Sequence, residues 1–306
     1  MKSNHRLQLS GLKKSLLLPL AALVSLVGFA VPSHGALLLY EGFDYTGGTT
    51  VGPNPSSGTM NGGTGWSVNQ RWFDNNPTDA NAYTVASPSL SYGSLTTSGN
   101  ALSQASDSIG AARNFNNTST SLADGTYYVS FLISFSGNSP SMANMYGGLQ
   151  LGSAYFGIAN LNGGTTTERN FVLSNSYGNG TDGTTRVHTG VTLSLNTTYL
   201  LVAKVTFSAS GQDSYSLWIN PTTGSEASAG AAQAFNNTTN STSIAQASFY
   251  TSSTAFGMTV DELRIGTTWE DVTPGLPIPE PGIYAMLAAQ GALLAIWGKR
   301  RKWALR

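Results

Sequence analysis

Thr126 to Phe135 reads TYYVSFLISF, and this stretch decides the fold class because its apolar side chains alternate. In an extended chain, residues two apart lie on the same face. One face carries aromatic and β-branched side chains at Tyr127, Val129, Phe131, Ile133 and Phe135. The other face carries Tyr128, Ser130, Leu132 and Ser134. This period of two predicts a β-strand that buries one face.

Two further stretches repeat the pattern, Thr198 to Phe207 (TYLLVAKVTF) and Asp213 to Asn220 (DSYSLWIN). Shorter apolar runs occur at residues 37–43, 83–85, 148–151, 155–159, 170–173, 247–250 and 258–265. Clusters of Gly, Asn, Ser and Asp separate the runs and turn the chain. No segment between residues 36 and 274 has a convincing helical period. We therefore predict an all-β domain over residues 36–274, built as a two-sheet antiparallel sandwich.

Charge is segregated along the chain, although the formal net charge is zero. Nine of the 15 basic residues lie in the first 14 or the last eight residues. Six remain between them, against 15 acidic residues from Glu41 to Glu280, a balance of about −9. A domain of that sign repels phosphate backbones, so nucleic acid is not an expected partner.

The chain contains no cysteine. Disulfide bonds, thiolate catalysis and cysteine-ligated zinc are therefore excluded. A domain without disulfides depends on its apolar core, which the aromatic and β-branched strand residues supply.

Residues 1–35 have the order of a secretory signal peptide. Basic residues open the chain, and an apolar run, LLLPLAALVSLVGFA, extends from Leu16 to Ala30. Ser33 and Gly35 place small side chains at the −3 and −1 positions of a cut before Ala36. Because the run is shorter than the roughly 20 residues of a membrane span, we expect a signal helix that enters the secretion translocon and is removed by signal peptidase. A retained anchor helix is the alternative.

The C-terminal end combines a stiff linker, an apolar segment and a basic tail. Residues 275–281 form a Pro-rich linker that contains Pro279, Glu280 and Pro281. Residues 282–298 (GIYAMLAAQGALLAIWG) are long enough, at roughly 25 Å, for one transmembrane helix. Residues 299–306 follow, and their basic cluster predicts a cytoplasmic tail by the positive-inside rule. This stop-transfer cluster is Lys299, Arg300, Arg301 and Lys302.

The Pro-Glu-Pro motif, the single short span and the terminal Arg/Lys cluster together resemble the PEP-CTERM sorting domain, which is also catalogued as the ice-binding protein C-terminal domain. The resemblance covers residues 277–306. It implies processing by an exosortase, a membrane-embedded cysteine enzyme. The expected location is the membrane first, through the C-terminal helix, and then the cell surface or the exopolysaccharide matrix. An ordinary tail-anchored helix is the alternative.

The two ends of the β-domain resemble LamG-like domains of exported bacterial proteins. The domain opens with LYEGFDY at residues 39–45 and closes with VDELRIG at residues 260–266, followed by Thr268-Trp269. The resemblance implies a jelly-roll sandwich of the concanavalin A-like type, in which the first and last strands pair in one sheet. An immunoglobulin-like pair of domains or a β-helix is the alternative.

No known catalytic pattern is apparent in the domain. Some lectin-like hydrolases use Glu-x-Asp-x-x-Glu and some lyases of similar fold use Gln-x-His, and both patterns are absent. Asp261-Glu262 and Glu270-Asp271 are adjacent pairs, which would point to opposite faces of a strand. His188, the one histidine of the domain, is expected at the surface. We therefore predict a domain that is not an enzyme and that binds carbohydrate, with exopolysaccharide as the candidate partner. A hydrolase or lyase with an unrecognised site, or a passive coat protein, is the alternative.

Two sets of binding residues are candidates, and no cofactor other than calcium is expected. Asp74 and Asp79 lie in an Asp/Asn-rich loop whose oxygen atoms suit calcium, or which simply makes Asx turns. Trp66, Trp72 and Trp218 would stack on sugar rings if they were exposed, and are core residues otherwise.

Overall fold

The computed structural model describes residues 35–67, 69–75, 83–105, 110–115, 124–137, 146–160, 169–174, 186–208, 210–239, 244–251 and 256–277. The strands are β1 (Leu37–Glu41), β2 (Phe73–Asp74), β3 (Thr84–Ala86), β4 (Ala101–Gln104), β5 (Gly110–Asn114), β6 (Gly125–Ser136), β7 (Tyr146–Leu151), β8 (Ala154–Asn160), β9 (Arg169–Ser174), β10 (Arg186–Thr192), β11 (Tyr199–Phe207), β12 (Asp213–Ile219), β13 (Ala234–Thr239), β14 (Gln246–Thr251) and β15 (Gly257–Gly266). The short helices are α1 (Glu226–Ala229) and α2 (Trp269–Val272).

The strands form two antiparallel sheets. Sheet 1 has the order β13-β12-β11-β6-β15-β4-β3, and β1 pairs with the second half of β15. Sheet 2 has the order β10-β9-β8-β7-β14-β5-β2. Every named pairing in the described chain is antiparallel, and non-consecutive strands lie side by side in both sheets. The predicted all-β sandwich is confirmed at this level, and the strand order is consistent with a jelly roll.

The main core lies between the two sheets. Phe131 of β6 meets Phe249 of β14 across it, with ring centroids 5.7 Å apart. Phe171 of β9 and Tyr199 of β11 make a second contact at 4.6 Å. The predicted alternation in β6 is confirmed, because Val129, Phe131, Ile133 and Phe135 all belong to this core.

The opening motif builds a buried polar network beside this core. Glu41, at the end of β1, accepts hydrogen bonds from Arg113, Trp72, Tyr45 and the Phe43 amide. Burial raises the pKa of the Glu41 carboxyl, and the Arg113 guanidinium is the main group that opposes this shift. The EGFDY sequence is thus a structural motif that fixes the chain after β1 to sheet 2.

The closing motif fixes a loop to the outer side of sheet 1. A bulge between Asp261 and Arg264 interrupts the pairing of β15 with β6, and Glu262 adopts a φ of 55° there. Asp261 accepts hydrogen bonds from Ser89 Oγ and the Leu90 amide. The loop before β4 is therefore held by acidic side chains of the last strand.

The terminal signals lie largely outside the described residues. This applies to residues 1–34 of the predicted signal peptide, to the sorting motif, to the span at 282–298 and to the basic tail. Within the described part of the chain, no helix has the length and apolar character needed to cross a bilayer.

Candidate functional site

The outer face of sheet 2 has small residues at its centre, on strands β7 and β8. The strand register places Gly148 of β7 opposite Gly157 of β8. Tyr146 lies opposite Ala159 in the next row. Side chains at the centre of this face are therefore small, which leaves room for neighbouring rings.

A tyrosine cluster, Tyr146, Tyr155 and Tyr250, occupies this space. Tyr146 stacks on Tyr250, with centroids 5.6 Å apart and planes 22° apart. Tyr146 also meets Tyr155 edge to face at 6.2 Å. Tyr155 is 0% exposed, so Tyr146 and Tyr250, which are partly exposed, are the rings that present an apolar surface to a ligand.

Tyr155 is fixed within the cluster by its phenol. Its Oη donates to the Ile158 carbonyl at 3.0 Å and lies over Gly157, where a Cβ atom would approach to 2.7 Å. Only glycine at position 157 leaves this space open. Burial raises the pKa of Tyr155 well above its ordinary value, with Tyr146 adding to the effect and the Arg186 charge opposing it. The phenol is therefore protonated at neutral pH.

Basic and amide side chains lie on the strands beyond Tyr155. Arg186 of β10 pairs with Ser174, which pairs in turn with Tyr155. His188 pairs with Val172, which pairs with Gly157. At strand spacings of about 4.8 Å, His188 and Gly157 are roughly 10 Å apart. Val172 therefore lies between His188 and Gly157, and these three positions form one row of the candidate site.

Asn170 closes this site along β9. Its side chain is 6% exposed, and its Oδ1 atom has no hydrogen-bond partner among the described residues. A buried carbonyl oxygen without a partner is costly. A hydroxyl group of a bound ligand would satisfy it.

Asp74 is the one carboxylate in the described strands of sheet 2. Its pairing with Ala111 places it on the inner face, where it is 5% exposed. Arg186, at the start of β10, is 5% exposed.

The tryptophans proposed for sugar stacking are buried. Trp72 is 0% exposed and donates to Glu41, and Trp66 packs against it at 5.5 Å. Trp218 lies on the outer side of sheet 1, but it is 5% exposed and packs edge to face on Trp269. None of the three presents a free ring face. The prediction that they stack on a sugar is therefore corrected, and all three are core residues.

The calcium prediction at Asp74 and Asp79 stays a prediction. Asp74 is described and buried, whereas Asp79 lies outside the described residues. Among the described residues, no group of three or more His, Cys, Asp or Glu side chains is placed to hold a metal ion.

The two adjacent acidic pairs have structural contacts. Asp261 and Glu262 hold the loop before β4, with Glu262 accepting from the Ser98 amide and pairing with Arg264. Asp271 completes a capping box with Thr268 at the start of α2. Neither pair faces an open cleft in the described chain.

No protein-family model matches the chain, and no curated protein matches it. Solved structures that resemble it include the endo-β-1,4-glucuronan lyase of the fungus Trichoderma reesei, at 11% identity, covering 78% of this chain and 99% of that chain with a TM-score of 0.45. Alginate lyase Aly36B shares 14% identity over 74% of this chain and 95% of that chain, with a TM-score of 0.38. The globular domain of T. cruzi calreticulin shares 10% identity over 87% of this chain and 100% of that chain, with a TM-score of 0.41.

The comparisons contradict one prediction made from the sequence. Two of these three proteins are polysaccharide lyases, so the prediction that the domain is not an enzyme is wrong and is withdrawn. That prediction depended on the absence of two sequence patterns. Side chains on separate strands can meet without any such pattern.

Sequence reasoning missed most of the residues of this site. His188 was expected at the surface, but it is half-buried on the outer face of sheet 2. Arg186 and the tyrosine cluster were not singled out, because they are distant in sequence and meet only through strand pairing. The Gly147-Gly148 pair beside Tyr146 was the available signal, since glycines inside a strand often mark a close approach of other groups.

Proposed function

We propose that the protein is an exported carbohydrate-active enzyme, and that the outer face of sheet 2 binds an acidic polysaccharide and cleaves it by β-elimination. The observation that carries this proposal is the strand register that places His188 and Arg186 of β10 on the same face as Asn170 of β9. The fold assignment that accompanies it is a jelly roll of the concanavalin A-like type.

Arg186 and Asn170 suit the binding of a uronic acid ring. The guanidinium group matches a carboxylate, and neutralising that carboxylate makes the adjacent carbon-bound proton more acidic. Asn170 Oδ1 would accept a hydrogen bond from a sugar hydroxyl. These two roles fit a polymer whose repeating unit carries a carboxylate and a hydroxyl group.

His188, which is partly exposed on this face, suits the abstraction of a proton. In the proposed step, the imidazole of His188 removes the proton from C5, next to the carboxylate. The C5 electron pair forms a C4=C5 double bond as the C4–O bond breaks. The leaving oxygen takes a proton from solvent water, because the Tyr155 phenol is 0% exposed and donates to the Ile158 carbonyl.

Hydrolysis is less well supported on this face. Glycosidases need two carboxyl groups about 5 to 10 Å apart. The described strands of sheet 2 contribute Asp74 alone, and it points inward. Elimination requires no such pair.

The sorting part of the proposal depends on the two ends of the sequence. We propose secretion by the N-terminal signal and processing by an exosortase at the PEP-CTERM tail. Pro277, the last described residue, accepts hydrogen bonds from the Gly224 amide and Thr223 Oγ1. The Pro-Glu-Pro motif begins two residues later, so a processing enzyme would work close to the folded domain.

The full-length protein, incubated with polyglucuronate, alginate and neutral cellulose oligomers, tests the enzymatic proposal. We expect ultraviolet absorbance from an unsaturated product with at least one acidic polymer and none with the neutral oligomers. The Arg186→Met variant should give no such absorbance. Arg71→Met is the matched control, because Arg71 precedes β2 at the opposite edge of sheet 2. Absence of product from every acidic polymer by the wild-type protein would overturn the proposal.

Removal of residues 277–306 tests the sorting proposal separately. A tagged chain without these residues should be secreted but not retained at the membrane or surface. An Arg301→Ala/Lys302→Ala chain, which keeps the Pro-Glu-Pro motif, is the comparison for the basic cluster. The same location and processing for the truncated and intact chains would contradict an exosortase role.

A further inference from the structure

A second groove lies on the opposite side of the molecule, on the outer face of sheet 1. Its volume is about 590 Å³, within the range of small-molecule sites. Its floor comes from β11 and β12, and helix α1 with residues 230–232 forms one wall. This α1 groove is separated from the proposed catalytic site by both sheets.

Hydroxyl groups cover the floor of the groove. Strand pairing places Thr206 opposite Ser214 and Lys204 opposite Ser216. Thr206 is also paired with Thr126 of β6, and their hydroxyls lie 3.0 Å apart. Ser214, Ser216 and Thr206 are all partly exposed. Each can donate and accept hydrogen bonds, so the floor matches a ligand rich in hydroxyl groups.

The charged groups of the groove neutralise each other. Lys204 Nζ lies 2.9 Å from Glu226 Oε1, and both side chains are 33% exposed. Tyr128 Oη donates to the same carboxylate at 2.6 Å, and the ammonium group lies 5.5 Å from the Tyr128 ring centroid. Glu226 raises the pKa of Lys204, so the pair stays ionised. An anionic ligand would have to compete with Glu226, so an uncharged ligand is favoured.

Small apolar residues form the wall that faces this floor. Ala227, Ala231 and Ala232 line it together with Gly230. The edge of Trp218 closes one end, with its indole nitrogen bound to the Gly230 carbonyl. A polar floor opposite an apolar wall matches a sugar, whose hydroxyls lie at its edges and whose C–H groups lie on its faces.

We propose that the α1 groove binds a neutral oligosaccharide. The site is distinct from the proposed catalytic face in position and in charge. Two such sites would let one domain hold an uncharged glycan while it acts on an acidic polymer. The α1-groove inference does not depend on the catalytic proposal.

Two substitutions on helix α1 give a matched test. Ala227 and Ser228 are adjacent and exposed, but only Ala227 lines the groove. Ala227→Leu should weaken binding of the full-length protein to its preferred neutral oligomer by about tenfold, because the added side chain occupies the groove. Ser228→Leu should change affinity by less than about twofold. Ser216→Ala should cost about fivefold through one lost hydrogen bond.

The probes are hexamers of β-1,4-glucose, β-1,4-mannose and β-1,4-xylose, with polyglucuronate as the charged comparison, measured by calorimetry. We expect binding of at least one neutral hexamer that Arg186→Met leaves unchanged. Binding that is equal in Ala227→Leu and Ser228→Leu would overturn the proposal. So would the absence of binding to all three neutral hexamers. Thermal unfolding of each variant identifies any that fails to fold. If Ala227→Leu fails to fold, the affinity of Ser216→Ala is the deciding measurement.

Discussion

Arg113 Nη1 lies 2.7 Å from Glu41 Oε2, and both side chains are 1% exposed. The pair joins β5 of sheet 2 to the end of β1 in sheet 1. Arg113 also donates to the Gly62 carbonyl and stacks over Trp66 at 4.7 Å. The opening motif therefore connects the two sheets through one ion pair.

Loss of one partner of this pair should destabilise the domain strongly. Arg113→Met leaves the Glu41 carboxylate buried without its cation, and we expect a loss of about 3–5 kcal/mol in the free energy of unfolding. Urea denaturation measures this loss. Lys204→Met, which breaks a partly exposed pair, is the control and should cost under about 1 kcal/mol. Equal costs for the two variants would contradict the structural role of Glu41 and Arg113.

The stability of the domain should fall as the pH rises from about 4 to about 8. Burial raises the pKa of Asp261 to about 8, from an ordinary value of 3.8, while hydrogen bonds from Ser89 and Leu90 oppose the shift. The folded chain therefore holds a proton that the unfolded chain releases, and this stabilising contribution is lost as the pH rises through 8. Thermal unfolding across this range measures the slope.

Asp261→Asn supplies the comparison for that slope. Asparagine cannot ionise, so the variant should lose less stability than the wild-type protein between pH 4 and pH 8. An identical slope in the two proteins would show that Asp261 is not the group responsible.

Trp72 should contribute to stability and not to carbohydrate binding. Trp72→Ala removes a fully buried ring, and we expect a loss of about 3–5 kcal/mol. Trp72→Phe keeps most of the packing but loses the hydrogen bond to Glu41, so its cost should be smaller. A stable Trp72→Ala variant with lost sugar binding would reverse this assignment.

The sequence predicted the long strands well and the short polar strands poorly. β6, β11 and β12 were found within one or two residues, because their apolar faces alternate over their full length. The pairing of β1 with β15 was also predicted and is confirmed. β5 and β10 were missed, since small and polar residues in GAARN and RVHTGVT hide the period of two.

The candidate site was harder to predict for a different physical reason. Arg186, Tyr155 and Val172 lie on three strands, and their proximity depends on the register of β8, β9 and β10. Register is set by the packing of the whole sheet. No local pattern in the sequence contains this information.

Two substitutions in the site should separate binding from proton transfer. His188→Gln should lower kcat by about 10²- to 10⁴-fold with little change in KM, since the imidazole acts in the chemical step. Arg186→Lys should raise KM as well, because a planar guanidinium holds a carboxylate better than an ammonium group does. Steady-state kinetics on the preferred acidic polymer measures both constants. Unchanged kcat in His188→Gln would remove the imidazole from the mechanism.

Mass analysis of the cleavage products tests the central claim most directly. An acidic oligosaccharide of defined length is incubated with the full-length protein, and the masses of the two fragments are compared with that of the substrate. Elimination predicts fragments whose masses add up to that of the substrate, with a double bond in one of them. Fragments that together contain one additional water, or an oligosaccharide that stays intact, would contradict the claim.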